Sequence, residues 1–343
     1  MTYHLLQANA LNLPLEDETV DLIVTSPPYW GLRTYKDNGE TITEQLGAEA
    51  TPQEFVQSLL VATQEMMRVL KPSGSIFVNL GDKYAGSGGH NNADIGGQGR
   101  GPSNYLKTGA PHKSLIGIPW RYAIGCIDDL GLLLRAEIIW SKTNSMPDSA
   151  LDRVRRTHEH WFHLTKNPQY FSNIDSLREP YADSSKPRME KGFKNSGYQA
   201  QKGRVTGDGE ATGEISKTSG HPLGKTPSSV WQVTMEPLRV PKELGIDHYA
   251  AYPSEWPRRI ILGWSPLGGT VLDPFGGTGT TASVANTLGR HGISVDLSAD
   301  YLKIAEWRMN DPKLKKRILD KTFQDCEINQ AENASSFTGI TQT

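Results

Sequence analysis

VLDPFGGTGTT, residues 271–281, carries a short apolar run into a turn with three glycines. The residues that follow indicate a helix and then a second strand, GISVDLS, which contains Asp296. Glycines allow the backbone to turn tightly and to approach a ligand at the carboxyl end of a strand, where open α/β sheets bind cofactors. A carboxylate at the end of the next strand is placed to accept hydrogen bonds from ribose hydroxyls. This order of elements predicts a nucleoside-binding unit, although the spacing is neither G-x-G-x-x-G nor that of a phosphate loop.

Short, β-branched apolar runs alternate with helix-like stretches along the rest of the chain. The runs at 4–11 and 19–26 are followed by residues 51–74, whose apolar side chains recur at helical spacing, and then by another run at 75–82. This alternation is typical of a doubly wound α/β fold with a mostly parallel sheet.

Composition excludes several classes of protein. The 343 residues are 36% hydrophobic with a formal net charge of −2, which indicates a folded protein and neither supports nor excludes a nucleic-acid partner. The sequence has no apolar run long enough to span a bilayer and no signal-peptide pattern, so we expect a cytoplasmic protein without a membrane partner. Two distant cysteines, Cys126 and Cys326, and a His158/His160 pair without a carboxylate at ligand spacing indicate no metal site.

A second motif, TSPPYW at residues 25–30, follows the apolar run VDLIV. At the carboxyl end of a parallel strand, this motif should face the glycine turn of residues 275–279. The prolines fix the backbone so that carbonyl groups point outward, while Ser26 supplies a hydroxyl and Tyr29 a flat aromatic face. The motif therefore predicts a site for a small planar ring that bears an amine.

Together the two motifs resemble those of the S-adenosylmethionine-dependent DNA amino-methyltransferases, in the subgroup whose catalytic motif precedes the cofactor motif. The resemblance covers roughly residues 4–310, with VDLIVTSPPYWGLR similar to the catalytic motif and VLDPFGGTGTT similar to the cofactor motif. It implies a Rossmann-like methyltransferase sheet with circularly permuted motif order and an inserted DNA-recognition segment. It also implies S-adenosylmethionine as cofactor and double-stranded DNA as partner.

The resemblance assigns roles to individual residues. The catalytic residues it implies are Ser26, Pro27, Pro28 and Tyr29. Those implied for the cofactor are Asn9, Pro253, Asp273, Pro274, Phe275, Gly276, Gly277, Gly279, Thr280, Thr281 and Asp296. Those implied for DNA are Trp30, Lys142, Asn144, Arg153, Arg156 and His158. Asn9 departs from the subgroup, whose first strand often ends in Gly-Asp, but its side-chain carbonyl can still accept a hydrogen bond from an amine.

The chemistry implied is direct transfer of a methyl group to an exocyclic amine. Ser26 and the Pro27 carbonyl accept the amine hydrogens, and Tyr29 stacks on a base that has been flipped out of the duplex. Within the family Ser-Pro-Pro-Tyr is typical of cytosine-N4 enzymes and Asp-Pro-Pro-Tyr of adenine-N6 enzymes, so we expect cytosine N4, with adenine N6 as the alternative. More distant alternatives are a methyltransferase for RNA or a protein amide, and a non-catalytic nucleic-acid-binding protein.

The chain is predicted to contain four segments. Residues 1–174 and 236–320 form the catalytic and cofactor-binding halves, 175–235 form a variable target-recognition segment, and 321–343 form a flexible tail. The recognition sequence, the presence of a cognate restriction endonuclease and the choice between monomer and homodimer stay open.

Two stretches have an unusual composition. The Gly-rich residues 86–104 form either a mobile surface loop or a lid over a ligand. Residues 186–225 carry a local net charge of +4, which suits either a solvated linker or a segment that contacts phosphates. On the second interpretation the DNA-contacting residues are Lys186, Arg188, Lys191, Lys194, Lys202 and Arg204.

Overall fold

The chain divides into two compact units. The first comprises Met1–Asn173 and Ser228–Asp320, and the second comprises Ile174–Pro227 and Lys321–Thr343. The predicted Gly-rich loop or lid at 86–104 lies outside the residues that the structure describes. The computed structural model describes residues 3–31, 36–37, 40–42, 45–85, 109–145, 147–148, 150–182, 184, 223–238, 240–246 and 251–337.

An eight-stranded sheet forms the first unit, in the order β1-β10-β9-β2-β5-β7-β6-β8. Within this sheet β7 runs antiparallel to both of its neighbours, and the remaining pairs are parallel. The predicted α/β fold with a mostly parallel sheet is confirmed. The strands of the sheet are β1 (Tyr3–Gln7), β2 (Val20–Thr25), β5 (Leu70–Leu80), β6 (Leu133–Ser141), β7 (His158–Thr165), β8 (Val230–Gln232), β9 (Thr270–Asp273) and β10 (His291–Asp296), while β3 (Lys36–Asp37) and β4 (Glu40–Thr41) form a separate short pair.

The helices connect the strands, and the first of them shows how local sequence sets its limits. Thr51 and Glu54 form a capping box that fixes the start of the helix, and Phe55, Leu59 and Met66 on one of its faces are buried. The helices of the described residues are α1 (Pro52–Val69), α2 (Ile118–Asp128), α3 (Glu255–Trp264), α4 (Thr280–Thr287), α5 (Ala299–Met309) and α6 (Pro312–Phe337).

The central strands β2 and β5 are buried along most of their length. Leu22, Ile23 and Val24 have no exposed surface, which is why VDLIV is an almost continuous apolar run. In the buried half of β5, SIFVNL, Asn79 stands near the carboxyl end and is only 1% exposed. A buried amide needs hydrogen-bond partners, and they lie at the site described below.

The C-terminal residues correct one prediction. α6 continues to Phe337, whereas we expected a flexible tail from residue 321. Leu314 and Ile318 are buried near its start, and Lys321 pairs with Asp325 one turn along the helix at 3.7 Å. The polar composition that suggested a frayed end therefore belongs to a helix that begins with an apolar face. Within the described ranges, no helix combines the length and the apolar character needed to cross a membrane.

Candidate active site

The catalytic motif lies at one end of three neighbouring strands of the sheet, β2, β5 and β7. Residues 26–29 follow β2, Asn79 lies near the carboxyl end of the adjacent β5, and Glu159 lies at the start of the antiparallel β7. Register brings them together, because Thr25 pairs with Val78 and Leu80 pairs with His160. The motif therefore meets side chains that are far away in the sequence.

Ser26 is oriented by Asn79. The Ser26 hydroxyl donates a hydrogen bond to Asn79 Oδ1 at 3.2 Å, and Asn79 Nδ2 donates to the His160 carbonyl at 3.1 Å. The second bond fixes which amide atom faces Ser26. Because the hydroxyl hydrogen is directed at Asn79, the lone pairs of Ser26 Oγ can accept hydrogens from a ligand, as an exocyclic amine would require.

Tyr29 is held at its hydroxyl and along its ring. The hydroxyl lies 2.8 Å from Asn79 Oδ1 and 2.8 Å from Glu159 Oε2. Burial and the Glu159 charge raise the pKa of Tyr29 well above its usual value, so the phenol stays protonated and donates at neutral pH. The ring packs over Gly81, where an added Cβ atom would come within 2.7 Å of it. These contacts fix the plane of the ring.

Lys142, which we predicted to contact DNA, completes this cluster. Its ammonium group forms an ion pair with Glu159 Oε1 and lies 4.5 Å from the centre of the Trp140 ring. Both partners of the ion pair are mostly buried. Lys142 thus neutralises the carboxylate that anchors Tyr29, and its charge is not available as a phosphate contact.

A cavity of about 690 Å³, partly open to solvent, brings the two sequence motifs together. Ser26 and Pro28 of the catalytic motif lie on its wall. The cofactor residues that the sequence placed here are Asn9, Pro274, Phe275, Gly277 and Asp296, and the wall residues it did not indicate are Ala8, Ala10, Ile42, Gln45, Leu46, Leu297 and Tyr301.

Asp296, at the carboxyl end of β10, is a half-buried acid on the wall of this cavity. Its carboxylate accepts hydrogen bonds from the Gly277 amide at 2.9 Å and from the Ser298 amide at 2.9 Å. Burial raises the pKa of Asp296 to about 6, and the charges of Asp273 and Asp37 add to the rise. Each oxygen has a second lone pair, so the carboxylate can also accept the hydroxyls of a ribose.

Asp273 was predicted to bind the cofactor, but its carboxylate is fully used within the protein. It is 1% exposed, and one oxygen accepts from the Thr25 hydroxyl at 2.6 Å and from the Phe275 amide at 3.2 Å. The other oxygen accepts from the Tyr252 hydroxyl at 2.8 Å and from the Thr281 hydroxyl at 2.9 Å. Asp273 therefore holds β9, β2 and the glycine turn together.

Two glycines of the turn allow close packing within the protein. The sequence had instead suggested that they allow the backbone to approach a ligand. A Cβ atom at Gly276 would lie 1.9 Å from Ser294 Oγ. Gly279 has a φ of +71°, and a Cβ atom there would lie 2.7 Å from Ala305 Cβ. Gly276 thus permits the turn to pack on β10, and Gly279 permits it to pack on α5.

Three further residues predicted to bind the cofactor do not lie on the cavity wall. Thr280 Oγ1 accepts a hydrogen bond from Arg308 Nη1 at 2.6 Å, and Thr281 is completely buried. Pro253 is buried just before α3. Thr280 and Thr281 support the fold around the turn, which explains their place in the motif.

Trp30 and Asn144 were predicted to contact DNA, and both are committed to the protein. Trp30 is 9% exposed, and its indole nitrogen donates to the Glu49 carbonyl at 2.9 Å. The Asn144 amide donates to the Met235 carbonyl at 3.2 Å and accepts from the Met235 amide at 2.8 Å. Burial removes Trp30 from any DNA-facing surface, and the paired bonds use the Asn144 side chain to join two segments of backbone.

Three other predicted DNA contacts are Arg153 and Arg156 in the loop before β7, and His158, the first residue of that strand. Arg153 pairs with Asp148 at 2.7 Å, and its guanidinium stacks 3.9 Å from the centre of the Tyr84 ring. Both terminal nitrogens of Arg156 are buried and have no hydrogen-bond partner among the described residues. Burial and the neighbouring Arg156 lower the pKa of His158, which favours its neutral form. Arg156 is therefore the guanidinium that is best placed to receive an acceptor from a ligand.

The second unit is described only in part. Glu179 and Lys225 exchange two backbone hydrogen bonds of 2.9 Å in this unit. The predicted DNA-contacting residues of the basic stretch lie outside the described residues, namely Lys186, Arg188, Lys191, Lys194, Lys202 and Arg204.

The sequence alone assigned no role at the site to two residues of the cluster, Asn79 and Glu159. The signal for Asn79 was a single amide near the end of the apolar run SIFVNL, which should be buried and therefore bonded. Glu159 lies between two histidines at the start of a strand, and nothing in that pattern indicates that it reaches Tyr29.

Comparisons with known sequences agree with this geometry. A family model described as DNA methylase matches residues 20–307. The type II methyltransferase M.SmaI of Serratia marcescens is 33% identical over 299 residues, which make up 86% of this chain and 86% of that protein. M.Cfr9I of Citrobacter freundii, also a type II methyltransferase, is 34% identical over 298 residues, which make up 86% of this chain and 83% of that protein.

Solved structures show the same fold. The PvuII DNA methyltransferase, described as cytosine-N4-specific, superposes with a TM-score of 0.60 at 20% identity over 94% of this chain and 91% of that chain. A Thermus thermophilus protein described as a DNA modification methylase, in complex with S-adenosyl-L-methionine, superposes with a TM-score of 0.52 at 20% identity over 90% of this chain and 93% of that chain. The predicted Rossmann-like methyltransferase sheet is thus confirmed.

Proposed function

The chain belongs to the DNA methylase family, and on that premise we propose that it methylates the N4 amine of cytosine in duplex DNA. Its relatives are type II methyltransferases, so its activity is that of a DNA amino-methyltransferase of the restriction-modification kind. The observation that carries the proposal is the orientation of Ser26, whose hydroxyl donates to Asn79 and thereby turns acceptor lone pairs toward the cavity.

S-adenosylmethionine is the cofactor of this family, and the cavity fits it. Asp296 offers acceptor lone pairs on the cavity wall for the ribose hydroxyls, and Phe275 offers an aromatic face for the adenine. Asn9 is placed on the same wall, although its Oδ1 already accepts one hydrogen bond from the Leu11 amide at 2.9 Å. When bound, the cofactor supplies a methyl group on a positively charged sulfur.

The residues of the cluster prepare the target amine. The lone pair of an exocyclic amine is delocalised into the ring, so the nitrogen is a poor nucleophile until that pair is localised. The Ser26 oxygen and the Pro27 carbonyl accept the two amine hydrogens, which favours a tetrahedral nitrogen whose lone pair points toward the methyl group. A paired base hides its amine, so the base must leave the duplex, and the fixed ring of Tyr29 stacks on it.

Cytosine is proposed over adenine because the motif begins with serine. Serine supplies a neutral acceptor whose hydrogen is directed at Asn79, whereas the adenine-N6 enzymes usually carry an aspartate at this position. Adenine N6 is the second candidate, since both bases present an amine of similar geometry.

The test is to express the protein in a host that lacks N4-methylcytosine and to analyse its DNA. Nucleoside mass spectrometry should find N4-methylcytosine, and single-molecule sequencing should place it in one short sequence. The matched control is a host that expresses Ser26→Ala. N6-methyladenine in place of N4-methylcytosine would overturn the choice of base, and label transferred from S-adenosylmethionine to RNA or protein but not to DNA would overturn the DNA substrate.

Arg156 supports the assignment of DNA as substrate. The two terminal nitrogens of its guanidinium are buried without an acceptor among the described residues, and such desolvation is costly when no hydrogen bond offsets it. A phosphate or base acceptor that arrives with the flipped nucleotide would complete its hydrogen bonds. We further propose that the variable segment of residues 175–235 reads the target sequence.

Affinity for S-adenosylmethionine should depend on the ionisation of Asp296. The carboxylate accepts ribose hydroxyls only where it is deprotonated, and its pKa is about 6. A lower pH protonates it, so affinity should be constant above neutral pH and fall by about tenfold at pH 5. Calorimetric titrations between pH 5 and pH 8 measure this change.

The control for the pH dependence is Asp296→Asn, which has no ionisable group at this position. Its affinity should be lower at pH 8 and nearly independent of pH. An unchanged dissociation constant for the unsubstituted protein between pH 8 and pH 5 would contradict the role of Asp296.

A further inference from the structure

A loop of residues 150–157, called here the 150–157 loop, carries two unburied aliphatic side chains. Leu151 is 100% exposed and Val154 is 87% exposed. The loop leads into β7, and the carbonyl of its last residue, Thr157, accepts a hydrogen bond from the Lys142 amide at 2.8 Å. Lys142 pairs with the carboxylate that anchors Tyr29. The loop therefore ends directly beside the catalytic motif.

The loop is pinned close to its exposed leucine. Asp152, the next residue, pairs with Lys113 at 2.5 Å, and Lys113 lowers the pKa of its carboxyl group. Arg153 pairs with Asp148 at 2.7 Å and stacks on Tyr84. Each exposed ion pair is weak alone, but together they hold the backbone on the residues that follow Leu151. Leu151 is thus presented to solvent by a restrained backbone.

The charge of the loop is complementary to DNA. Its acid Asp152 and the preceding Asp148 are each paired with a basic residue. Because both acids are paired, Arg155 and Arg156 give this stretch a net positive charge. Leu151 precedes the three arginines of the loop, Arg153, Arg155 and Arg156. Proteins that insert apolar wedges between base steps carry such basic side chains close to the wedge, where they neutralise the flanking phosphates.

We propose that Leu151 enters the duplex when the target base is extruded and fills the space that the base leaves in the stack. The side chain exchanges water for the faces of neighbouring bases, which favours the flipped state. The exposed Arg155 holds the flanking backbone in this arrangement. The inference rests on the proposed function, because it requires a duplex substrate and a flipped base.

The experiment compares Leu151→Ala with Leu267→Ala, which removes the same side chain from a position that is 80% exposed and precedes β9 at the opposite edge of the sheet. Duplex oligonucleotides carry the sequence found in the host DNA. One duplex pairs the target base normally, and a second places a non-complementary base opposite it. The value of kcat/KM is measured with tritium-labelled S-adenosylmethionine.

We expect Leu151→Ala to lower kcat/KM about tenfold on the paired duplex, as loss of a buried leucine contact predicts. On the mismatched duplex the loss should shrink to about twofold or less, because an unpaired base costs less to flip. Leu267→Ala should match the unsubstituted protein on both duplexes. Equal losses on both duplexes, or no loss in Leu151→Ala, would overturn the wedge; absence of transfer by the unsubstituted protein would instead overturn the proposed function.

Discussion

Replacement of Ser26 by alanine is expected to lower methyl transfer to DNA by about 100-fold or more. The Ser26 hydroxyl donates to Asn79 Oδ1 at 3.2 Å, so its lone pairs are the ones that meet the target amine. Alanine removes this acceptor at the atom where the lone pair of the amine must be localised. Single-turnover rates with tritium-labelled S-adenosylmethionine measure the loss, because they report the chemical step without product release.

Affinity for the cofactor separates this effect from damage to the cavity. Ser26 is one residue of a cavity wall that also includes Asp296 and Phe275, so the dissociation constant of S-adenosylmethionine should change little. Ser73→Ala is the matched control, since Ser73 is exposed near the opposite end of β5, and it should transfer at the normal rate. Near-normal transfer by Ser26→Ala would show that another atom accepts the amine hydrogens.

The meeting of the two motifs could be predicted from sequence because it follows from sheet geometry. β2 and β9 are parallel neighbours, with Leu22 opposite Val271 and Ile23 opposite Leu272, so the residues after both strands must lie at the same edge. An apolar run and the turn after it are local patterns, and the edge at which they meet is a property of any parallel sheet. The positions of the catalytic motif and of the cavity around Asp296 could be predicted from sequence for this reason.

The sequence could not predict which residues of each motif face the ligand and which support the fold, because this depends on contacts between distant residues. Asp273 has the chemistry of a ligand-binding acid, yet Thr25 and Tyr252 use its lone pairs. Gly276 has the freedom expected of a ligand-facing turn, yet Ser294 occupies the space that a Cβ atom would need. A residue type states what a side chain can do, and only the fold shows which partner it meets.

Replacement of Tyr29 by alanine is the second large expected effect, with a loss of transfer of about 100-fold or more. Alanine removes the aromatic face on which the flipped base stacks and also empties the space over Gly81. Transfer is measured on duplex DNA under single-turnover conditions. Tyr170→Ala, beyond the opposite end of β7, is the control for loss of a partly buried tyrosine and should retain transfer.

Tyr29→Phe separates the ring from its anchors and keeps the prediction testable if the alanine variant is unstable. Phenylalanine retains the aromatic face but loses the hydroxyl, whose single hydrogen is shared between two acceptors at 2.8 Å, Asn79 Oδ1 and Glu159 Oε2. Neither acceptor is left without a donor, because Ser26 still donates to Asn79 and Lys142 still pairs with Glu159. We therefore expect a loss of only about tenfold, as removal of a hydrogen bond predicts. If phenylalanine were as damaging as alanine, the hydroxyl would be the essential group, and stacking by Tyr29 would be ruled out as its main contribution.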